Sequence, residues 1–556
     1  MRRRLRRAPA LLVALAVLGG VLPLQACWAQ TVGSVLRIAV LSFPQDLFPI
    51  GASTVEMFYL RGFVGRSLTI YDKSWAVACA LCTELPTLEN GGAKIVTRPD
   101  GSKGIDVTFT LDPGLAWDDG TPVTSADVLF SIEIAHKLGA GASALPNILD
   151  AVALDDHHVM LRIASVRFDY NRMEELFLLP AHREKPSYES AASPADYKSH
   201  SLYIKDPSAP GLSYGPFKID KTTPDEIVLA RNPYWHGRQP SFDRIVLRKF
   251  ADTATIAAEM IAKRIDMGAG DISLDIDSVY RMEAMKGGTA FNFIFKSTLW
   301  YGHVDINLSN PLLKDKSLRR AMLLGLDRPI MSHMRERQAE DIAPSSFLPP
   351  DSPNFDPTLK PAPFDPAQAA ALLDSAGYAR GADGIRADSQ GKRLAFRLAG
   401  QLDFEEIRPI VETMRAQWRT IGIEIAIDDK RMSEFLPKRQ FDLAFYSWNN
   451  SPEFLLEPVY GVSGIPTAAN GNRGLNFPGF DNDEMNRVVS SLTVEMNPAR
   501  RLLLWRRAQQ IYAEELPALP ISFGTQVYVV PSNMVGIEPT GHLIPTSYWV
   551  EDWKLL

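Results

Sequence analysis

Residues 115–128 read LAWDDGTPVTSADV, and this stretch decides how the surrounding chain folds. Gly120 follows an aspartate pair, which favours a tight turn, because glycine adopts backbone conformations that other residues avoid. Thr124, with Asp127 three residues later, is a helix N-cap signature and predicts a helix from this point. Upstream, residues 105–111 alternate apolar and polar side chains, which is typical of a strand with one buried face. The stretch therefore predicts a strand, a turn and a capped helix in succession.

Residues that begin and end helices also occur towards the C-terminus. An aspartate, a proline and a closing glycine frame a predicted helix over residues 365–377. Residues 407–421 carry apolar side chains at helical spacing, which predicts a helix that ends at Gly422. Apolar and polar side chains then alternate strictly over residues 423–427, which predicts a strand. With the extended run 394–398 upstream, this region predicts strand, helix and strand, which indicates an α/β lobe.

The N-terminus has the features of an export signal. Residues 2–7 contain five arginines, and an apolar run over residues 8–24 follows that is too short to span a bilayer. We predict that residues 1–29 are a signal peptide cleaved after Ala29, while the residues before Cys27 also resemble a lipoprotein box in which Cys27 would carry a lipid. Cleavage is the favoured alternative. The remaining 527 residues would carry a net charge of −11, because the segment holds five arginines and no acid.

Composition excludes several classes of protein. The 556 residues are 46% hydrophobic and 22% charged, which predicts folded domains, about three or four at this length, and not a disordered chain. The net charge of −6 lacks the basic excess that nucleic-acid binding requires. No apolar run of membrane-spanning length occurs beyond Leu24, so we do not expect an integral membrane protein.

A search for catalytic motifs finds one candidate. Residues 211–215 match the G-x-S-x-G pattern of hydrolases, with Ser213 as the nucleophile. That motif needs a strand before the serine and a helix after it, but a proline-rich loop precedes residues 211–215 and a predicted strand follows at Phe217. We interpret the stretch as a glycine-rich turn. The nine histidines have no metal-ligand spacing, and we predict no cofactor and no enzymatic activity.

Cys79 and Cys82 form a C-x-x-C pair in a chain that we expect to be exported. An oxidising compartment favours a local disulfide. A thioredoxin-type site would need a strand and then a helix around the pair, and a zinc site would need two more ligands. Both functional alternatives are less favoured than the disulfide.

Four ordered motifs resemble family 5 solute-binding proteins of bacterial ABC importers, the oligopeptide, dipeptide and nickel class. The opening stretch resembles the most recognisable segment of that family, in which tryptophan, acid and glycine shape a turn before a capped helix. The other matches are the glycine-proline-aromatic strand with its Arg-Asn-Pro-Tyr-Trp turn, the "R-x-A … I-D-R" helix and the "DPxxAxxLLxxAGY" helix, at residues 214–219 with 231–235, 317–328 and 364–378.

The resemblance implies an α/β fold of the class II periplasmic binding protein type. Two α/β lobes joined by a hinge would enclose the ligand, with an inserted accessory α+β domain beside them. The implied division is a signal peptide at 1–29, lobe I at 30–64, 206–298 and 520–556, the accessory domain at 65–205, and lobe II at 299–519. Hinge closure would be driven by ligand contacts that exist only in the closed form.

The resemblance also implies where a ligand sits. Two segments would line the cleft, one before the first helix and one after a strand of lobe II; they are Thr54, Val55, Glu56 and Met57, and Tyr446, Ser447, Trp448, Asn449, Asn450 and Ser451.

Peptide-binding members carry an aspartate where this chain has Ser451, and that aspartate pairs with the α-ammonium of the peptide. Either Glu453 or Glu56 substitutes for it, or the ligand lacks a free amino terminus. Trp448 is expected to stack on an apolar or planar ligand group or to pack the hinge.

We therefore predict a periplasmic binding component of an ABC importer, which captures a peptide or peptide-like solute and delivers it to permease subunits in the inner membrane. The expected partners are that small solute and the permease, with no nucleic acid, and the protein is expected to be a monomer. A family member that binds a sugar, an opine-like conjugate or a metal complex is the alternative. An exported serine hydrolase acting through Ser213 is a more distant one.

Overall fold

The computed structural model describes residues 34–51, 54–138, 148–285, 290–336, 343–400, 407–429 and 431–556. The predicted signal peptide, including Cys27, lies outside the described residues. In the described part of the chain, no helix combines the length and the apolar character needed to cross a membrane.

The strands are β1 (Val35–Val40), β2 (Thr69–Tyr71), β3 (Val77–Cys79), β4 (Ala93–Thr97), β5 (Lys103–Thr110), β6 (Ile148–Ala153), β7 (His158–Ile163), β8 (Phe217–Thr222), β9 (Glu226–Arg231), β10 (Arg244–Lys249), β11 (Met267–Ala269), β12 (Phe291–Ile306), β13 (Ala379–Arg380), β14 (Arg386–Ala387), β15 (Ala395–Gly400), β16 (Glu424–Asp428), β17 (Leu443–Asn449), β18 (Ala518–Pro531), β19 (Met534–Val535) and β20 (Lys554–Leu555).

The α-helices are α1 (Val55–Val64), α2 (Ser125–Lys137), α3 (Ala181–Ser190), α4 (Pro194–His200), α5 (Leu202–Lys205), α6 (Thr253–Ile261), α7 (Ile276–Ala284), α8 (Lys316–Leu324), α9 (Arg328–Glu336), α10 (Pro366–Ser375), α11 (Ile407–Thr420), α12 (Met432–Phe435), α13 (Glu457–Tyr460), α14 (Asp483–Val494) and α15 (Pro498–Glu515).

A ten-stranded sheet organises most of the molecule, in the order β16-β15-β17-β12-β18-β11-β1-β10-β9-β8. The β1 strand pairs in parallel with β10 and β11, and β15 pairs in parallel with β16 and β17. Parallel pairs need crossover connections, and α11 is the crossover between β15 and β16. The α/β fold class that the sequence predicts is confirmed.

The two longest strands, β12 and β18, lie in the middle of this sheet and pair with each other antiparallel. The first half of β12 pairs with the second half of β18, which in turn pairs with β11; the second half of β12 pairs with β17. The pairing register shifts between Ser297 and Tyr301 of β12. The predicted domain boundaries at 298/299 and 519/520 fall inside these two strands.

A second sheet, with the order β4-β5-β7-β6, lies in the segment predicted as the accessory domain. Its own apolar core includes Val107, Phe109, Trp117 and Leu161, each buried to within 1% of complete burial. The β2–β3 hairpin precedes this sheet, and a disulfide joins Cys79 at the end of β3 to Cys82.

The local signals of the opening stretch act as the sequence predicts. Gly120 has a left-handed φ of 87°, and the backbone amide of Thr124 donates to the Asp127 carboxylate at 2.9 Å. The Asp118 carboxylate accepts from the amides of residues 211, 212 and 213, each at 2.9 Å, and so fixes the glycine-rich loop. Ser213 therefore lies in a turn ahead of β8, with its side chain buried. The interpretation of residues 211–215 as a turn is confirmed.

Candidate functional site

A cavity of about 570 Å³ lies between three parts of the chain. One wall comes from the loop between β7 and α3 and from the end of β2, and a second comes from the segment after β17. The rest of the lining comes from Phe58 of α1, Tyr301 of β12, Leu475, Leu543 and Ile544. A cavity of this volume, formed by segments far apart in sequence, is typical of a small-molecule site.

The second wall begins where β17 leaves the central sheet. Trp448 lies at the end of that strand and stacks on Phe477, with ring centroids 6.0 Å apart and an angle of 12° between the planes. Its edge also meets the Tyr446 ring at 5.2 Å. Two aromatic contacts therefore hold the Trp448 ring in place while part of it faces the cavity.

A buried polar cluster supports Trp448 from below. The Tyr446 hydroxyl donates to the Asp305 carboxylate, and Nε2 of His303 lies 3.4 Å from the same carboxylate. Burial raises the pKa of Tyr446, and the neighbouring Asp305 raises it further, so the hydroxyl remains a donor. These contacts fix the Tyr446 ring, on which the Trp448 ring packs.

The first wall is rich in charge. Arg167 donates from Nε to Asp169 at 2.9 Å, and Arg172 contacts Glu174 at 3.1 Å, so each arginine pairs with an acid two residues later. Glu175 follows directly and lines the cavity, but forms no ion pair or side-chain hydrogen bond with any described residue. The Glu175 side chain is exposed, but the surrounding protein partly desolvates its carboxyl and raises the pKa; the Glu174 charge raises the pKa further, and Arg61 opposes both effects.

The two walls touch beside the cavity. The Arg172 guanidinium donates to the backbone carbonyl of Glu453, and the amide of Phe168 donates to the carbonyl of Thr493 at 3.0 Å. Arg501 contacts the Glu453 carboxylate at 3.4 Å and lies 5.0 Å from the Phe168 ring centroid. The first wall, which belongs to the segment predicted as the accessory domain, is therefore in direct contact with the second wall.

A second cavity, of about 680 Å³, adjoins the first and shares Arg167, Leu455 and Pro458 with it. Arg473 also lines this second cavity.

Four of the six residues predicted in the segment after the strand line the main cavity: Trp448, Asn449, Asn450 and Ser451. Tyr446 is 1% exposed and lies beneath them, and Ser447 is not part of the lining. Side chains alternate along β17, so Ser447 lies on the opposite face from Trp448, whereas Tyr446 shares the face of Trp448 but lies deeper in the sheet, where its hydroxyl contacts Asp305.

The prediction for the other segment is wrong in its structural setting, because residues 55–57 form the first turn of α1 and only Thr54 precedes the helix, as its N-cap. Met57 is buried, and the Glu56 carboxylate accepts from the Ser42 hydroxyl. Val55 is exposed and lines a smaller cavity of about 100 Å³ with Asn449. Of the two acids suggested as substitutes for the missing aspartate, Glu453 lines the main cavity and Glu56 is not among its lining residues.

Sequence reasoning missed the first wall. Residues 167–175 read RFDYNRMEE, and this dense mixture of charges and aromatics outside any helix or strand was the available signal. Tyr71 was also missed; it is 3% exposed, lines the cavity and has a buried hydroxyl with no hydrogen-bond partner in the described structure. Among the described residues, no group of three or more His, Cys, Asp or Glu side chains is arranged to hold a metal ion.

Comparison with known proteins gives a consistent result. Residues 100–465 match the family model described as bacterial extracellular solute-binding proteins, family 5 middle. The chain is 24% identical over 486 residues to the oligopeptide-binding protein OppA of Mycobacterium tuberculosis, covering 80% of this chain and 76% of that protein. It is 23% identical over 503 residues to the dipeptide-binding protein of Pseudomonas aeruginosa, covering 84% and 87%.

Solved structures show the same fold. The oligopeptide-binding protein of Thermus thermophilus, crystallised with a pentapeptide, superposes with a TM-score of 0.67 at 22% identity, covering 94% of this chain and 96% of that one. NikA of Brucella suis, crystallised with Fe(III)-EDTA, superposes with a TM-score of 0.72 at 18% identity, covering 94% and 100%. The predicted periplasmic binding protein-like fold is confirmed.

Proposed function

The chain belongs to the bacterial extracellular solute-binding proteins of family 5, and we propose that it captures a peptide or peptide-like solute and delivers it to the permease of an ABC importer. The curated relatives named above are peptide-binding proteins. The observation that carries the proposal is the cavity between the two walls, where Trp448 offers an aromatic face and the loop after it offers amide groups.

The size of the site favours an extended ligand. The main cavity, at about 570 Å³, shares Arg167, Leu455 and Pro458 with the second cavity of about 680 Å³. Pockets of about 300 to 1,000 Å³ hold ligands of drug size, so the combined space suits a short peptide.

The charges in and beside the main cavity nearly balance. The described groups are four acids and four arginines: Asp169, Glu174, Glu175 and Glu453, and Arg61, Arg167, Arg172 and Arg501. A non-peptide solute, such as a sugar, an opine-like conjugate or a metal complex, is the second candidate, because Ser451 stands where peptide-binding members carry an aspartate.

We further propose that the protein performs no chemistry on its ligand. Ser213 is buried in the loop held by Asp118, without the strand and helix that a nucleophile elbow requires. The variant Ser213→Ala is therefore expected to bind ligand as the wild type does, with no turnover by either protein. If the wild type hydrolyses an ester or a peptide and the substitution abolishes that activity, the serine hydrolase alternative is correct.

The domain division, the export and the monomeric state are part of the same proposal. The hinge would lie where β12 and β18 pass between the halves of the sheet, at the boundaries 298/299 and 519/520. Residues 65–205 would form the accessory domain, and residues 1–29 would direct export to the periplasm.

Native mass spectrometry of protein purified without refolding tests the proposal. A co-purifying mixture of short peptides is the expected result. One defined mass without peptide bonds would replace the peptide by the second candidate, and calorimetric titration with that compound would then confirm or reject it.

A further inference from the structure

Protein groups alone join the two walls of the main cavity. From the first wall, the Arg172 guanidinium donates to the backbone carbonyl of Glu453, and the amide of Phe168 donates to the carbonyl of Thr493, in the last turn of α14, at 3.0 Å. Met496, two residues after that helix ends, packs against the apolar core of the second sheet. Hydrogen bonds and apolar packing therefore connect the first wall to the second wall and to the end of α14.

Glu453 is held from two sides. Its carbonyl accepts from Arg172, and its carboxylate lies 3.4 Å from Nε of Arg501, near the start of α15. The guanidinium groups of Arg501 and Arg172 also lie 5.0 and 5.8 Å from the Phe168 ring centroid. The side chains of Arg172, Arg501 and Glu453 are only 11%, 14% and 18% exposed, so solvent screens their charges weakly. We refer to these four residues as the Glu453 cluster.

The Glu453 cluster acts on the loop that carries the candidate ligand contacts. Residues 450–456, after the end of β17, belong to no helix or strand. A segment without ladder hydrogen bonds depends on other partners for its backbone groups, and Arg172 supplies one to the carbonyl of Glu453. Asn450 and Ser451 of this loop line the main cavity. The shape of the second wall therefore depends on a side chain that belongs to the first.

We propose that Arg172 is a positioning residue for ligand binding, which keeps the two walls together and fixes the loop after β17 by holding the carbonyl of Glu453. This inference rests on the proposed capture of a solute between the walls. The Glu453 cluster stabilises the joined form with and without a solute, because its contacts are all between protein groups. Its loss should let the walls separate, so that a solute enters and leaves more rapidly.

The first test measures hydrogen exchange in the mature protein after dialysis to remove solute. The Phe168 amide is the reporter, because its acceptor, Thr493, lies on the other side of the contact. In the wild type this amide should exchange more slowly than an exposed amide. In Arg172→Gln it should exchange faster than in the wild type by about tenfold or more, because a charge-assisted hydrogen bond between the walls is lost. Mass spectrometry with fragmentation of the exchanged peptides resolves this amide.

Arg507→Gln is the matched control, because Arg507 also lies on α15 and its described partners lie on α14 and α15. It should keep the wild-type exchange rate at Phe168. Arg172→Lys, which retains a charged donor, should restore part of the protection that Arg172→Gln loses. If Arg172→Gln does not fold, Arg501→Gln makes the same test from the opposite side of the Glu453 cluster.

The second test follows ligand kinetics by stopped-flow tryptophan fluorescence. The probe is the tripeptide that the wild type retains most strongly from a synthetic mixture. In Arg172→Gln the association and dissociation rate constants should both rise, the second by about tenfold or more, since separated walls neither exclude nor retain the probe. Arg507→Gln should change neither constant. A simple packing defect would slow association or leave it unchanged, and that result would overturn the role of Arg172.

The outcomes separate this inference from the proposed function. An unprotected Phe168 amide in the wild type, or equal exchange of this amide in the wild type and Arg172→Gln, overturns the role of Arg172 while peptide binding stands. If no tripeptide is retained, the proposed peptide function fails, and the hydrogen exchange at Phe168 still decides whether Arg172 holds the walls together.

Discussion

The stability of the loop that completes the cavity should depend on the protonation of His542. The His542 ring is 3% exposed and packs near Trp75, with centroids 5.5 Å apart. Its Nε2 lies 2.9 Å from the carbonyl of Asp72, and its Nδ1 accepts from the amide of Ile544 at 3.2 Å. This arrangement requires the neutral ring with its proton on Nε2, because a proton on Nδ1 would face the Ile544 amide hydrogen.

Burial lowers the pKa of His542 to about 4, from an ordinary value of 6.5; the Asp72 carbonyl and carboxylate oppose that effect and the charge of Lys296 adds to it. Between these two pH values the unfolded chain binds the proton and the folded protein does not, so stability falls as the pH falls. The difference corresponds to about 3 kcal/mol of unfolding free energy, present above about pH 6.5 and lost by about pH 4.

The substitution His542→Gln isolates this effect, since glutamine can keep both hydrogen bonds and does not titrate. Urea unfolding at pH 7 and pH 4 should show that the wild type loses about 3 kcal/mol more than the variant over this range. His333→Gln, at an exposed histidine, should retain the wild-type loss. Equal losses in the wild type and His542→Gln would refute the reasoning.

Two further predictions concern the second wall and the scaffold. Trp448→Ala should weaken ligand binding by about tenfold and lower the melting temperature without unfolding the protein, because the ring lines the cavity and also packs on Phe477 and Tyr446; calorimetry that shows unchanged affinity would remove Trp448 from the site. Asp118→Ala should lower the unfolding free energy by about 3 kcal/mol or more, because three backbone amides lose their acceptor. The control is Asp220→Ala, which removes the exposed partner of Arg244 and should change the unfolding free energy by less than about 0.5 kcal/mol. A loss below 1 kcal/mol in urea unfolding of Asp118→Ala would contradict this reading.

Local signals made much of the fold predictable. Asp365 caps α10, and α15 begins at Pro498 after its Asn497 cap, as the sequence indicates. Gly422 has a φ of 91° where α11 gives way to β16. Each of these features depends on residues within one or two turns of each other, so the sequence contains them completely.

The central strands were harder to predict from the sequence. The second half of β12 is buried on both faces, so its side chains lack the alternation that marks a half-buried strand. Its partners, β17 and β18, lie more than 100 residues away along the chain.

The residues of the candidate site also fall into a group that the sequence predicted and a group that it did not. Trp448 and its neighbours were found through a family resemblance, whereas Glu175 and Arg172 lie in an irregular loop without periodicity. Arg172 meets Glu453 across 281 positions of sequence, and only the folded chain brings the two together. Loops rich in charged residues are therefore candidate sites even where the sequence predicts no helix or strand.

The pairing of β12 with β18 restricts how the proposed cleft could open. Because the two strands pair on both sides of the register shift between Ser297 and Tyr301, the proposed separation of the walls would bend one sheet at that shift, and would not slide separate bodies past each other. At that point Gly524 leaves room for Trp300, whose Cβ would lie 2.7 Å from an added Cβ. A pair of distance probes, one on each wall, would report such a bending motion between the proposed open and closed forms.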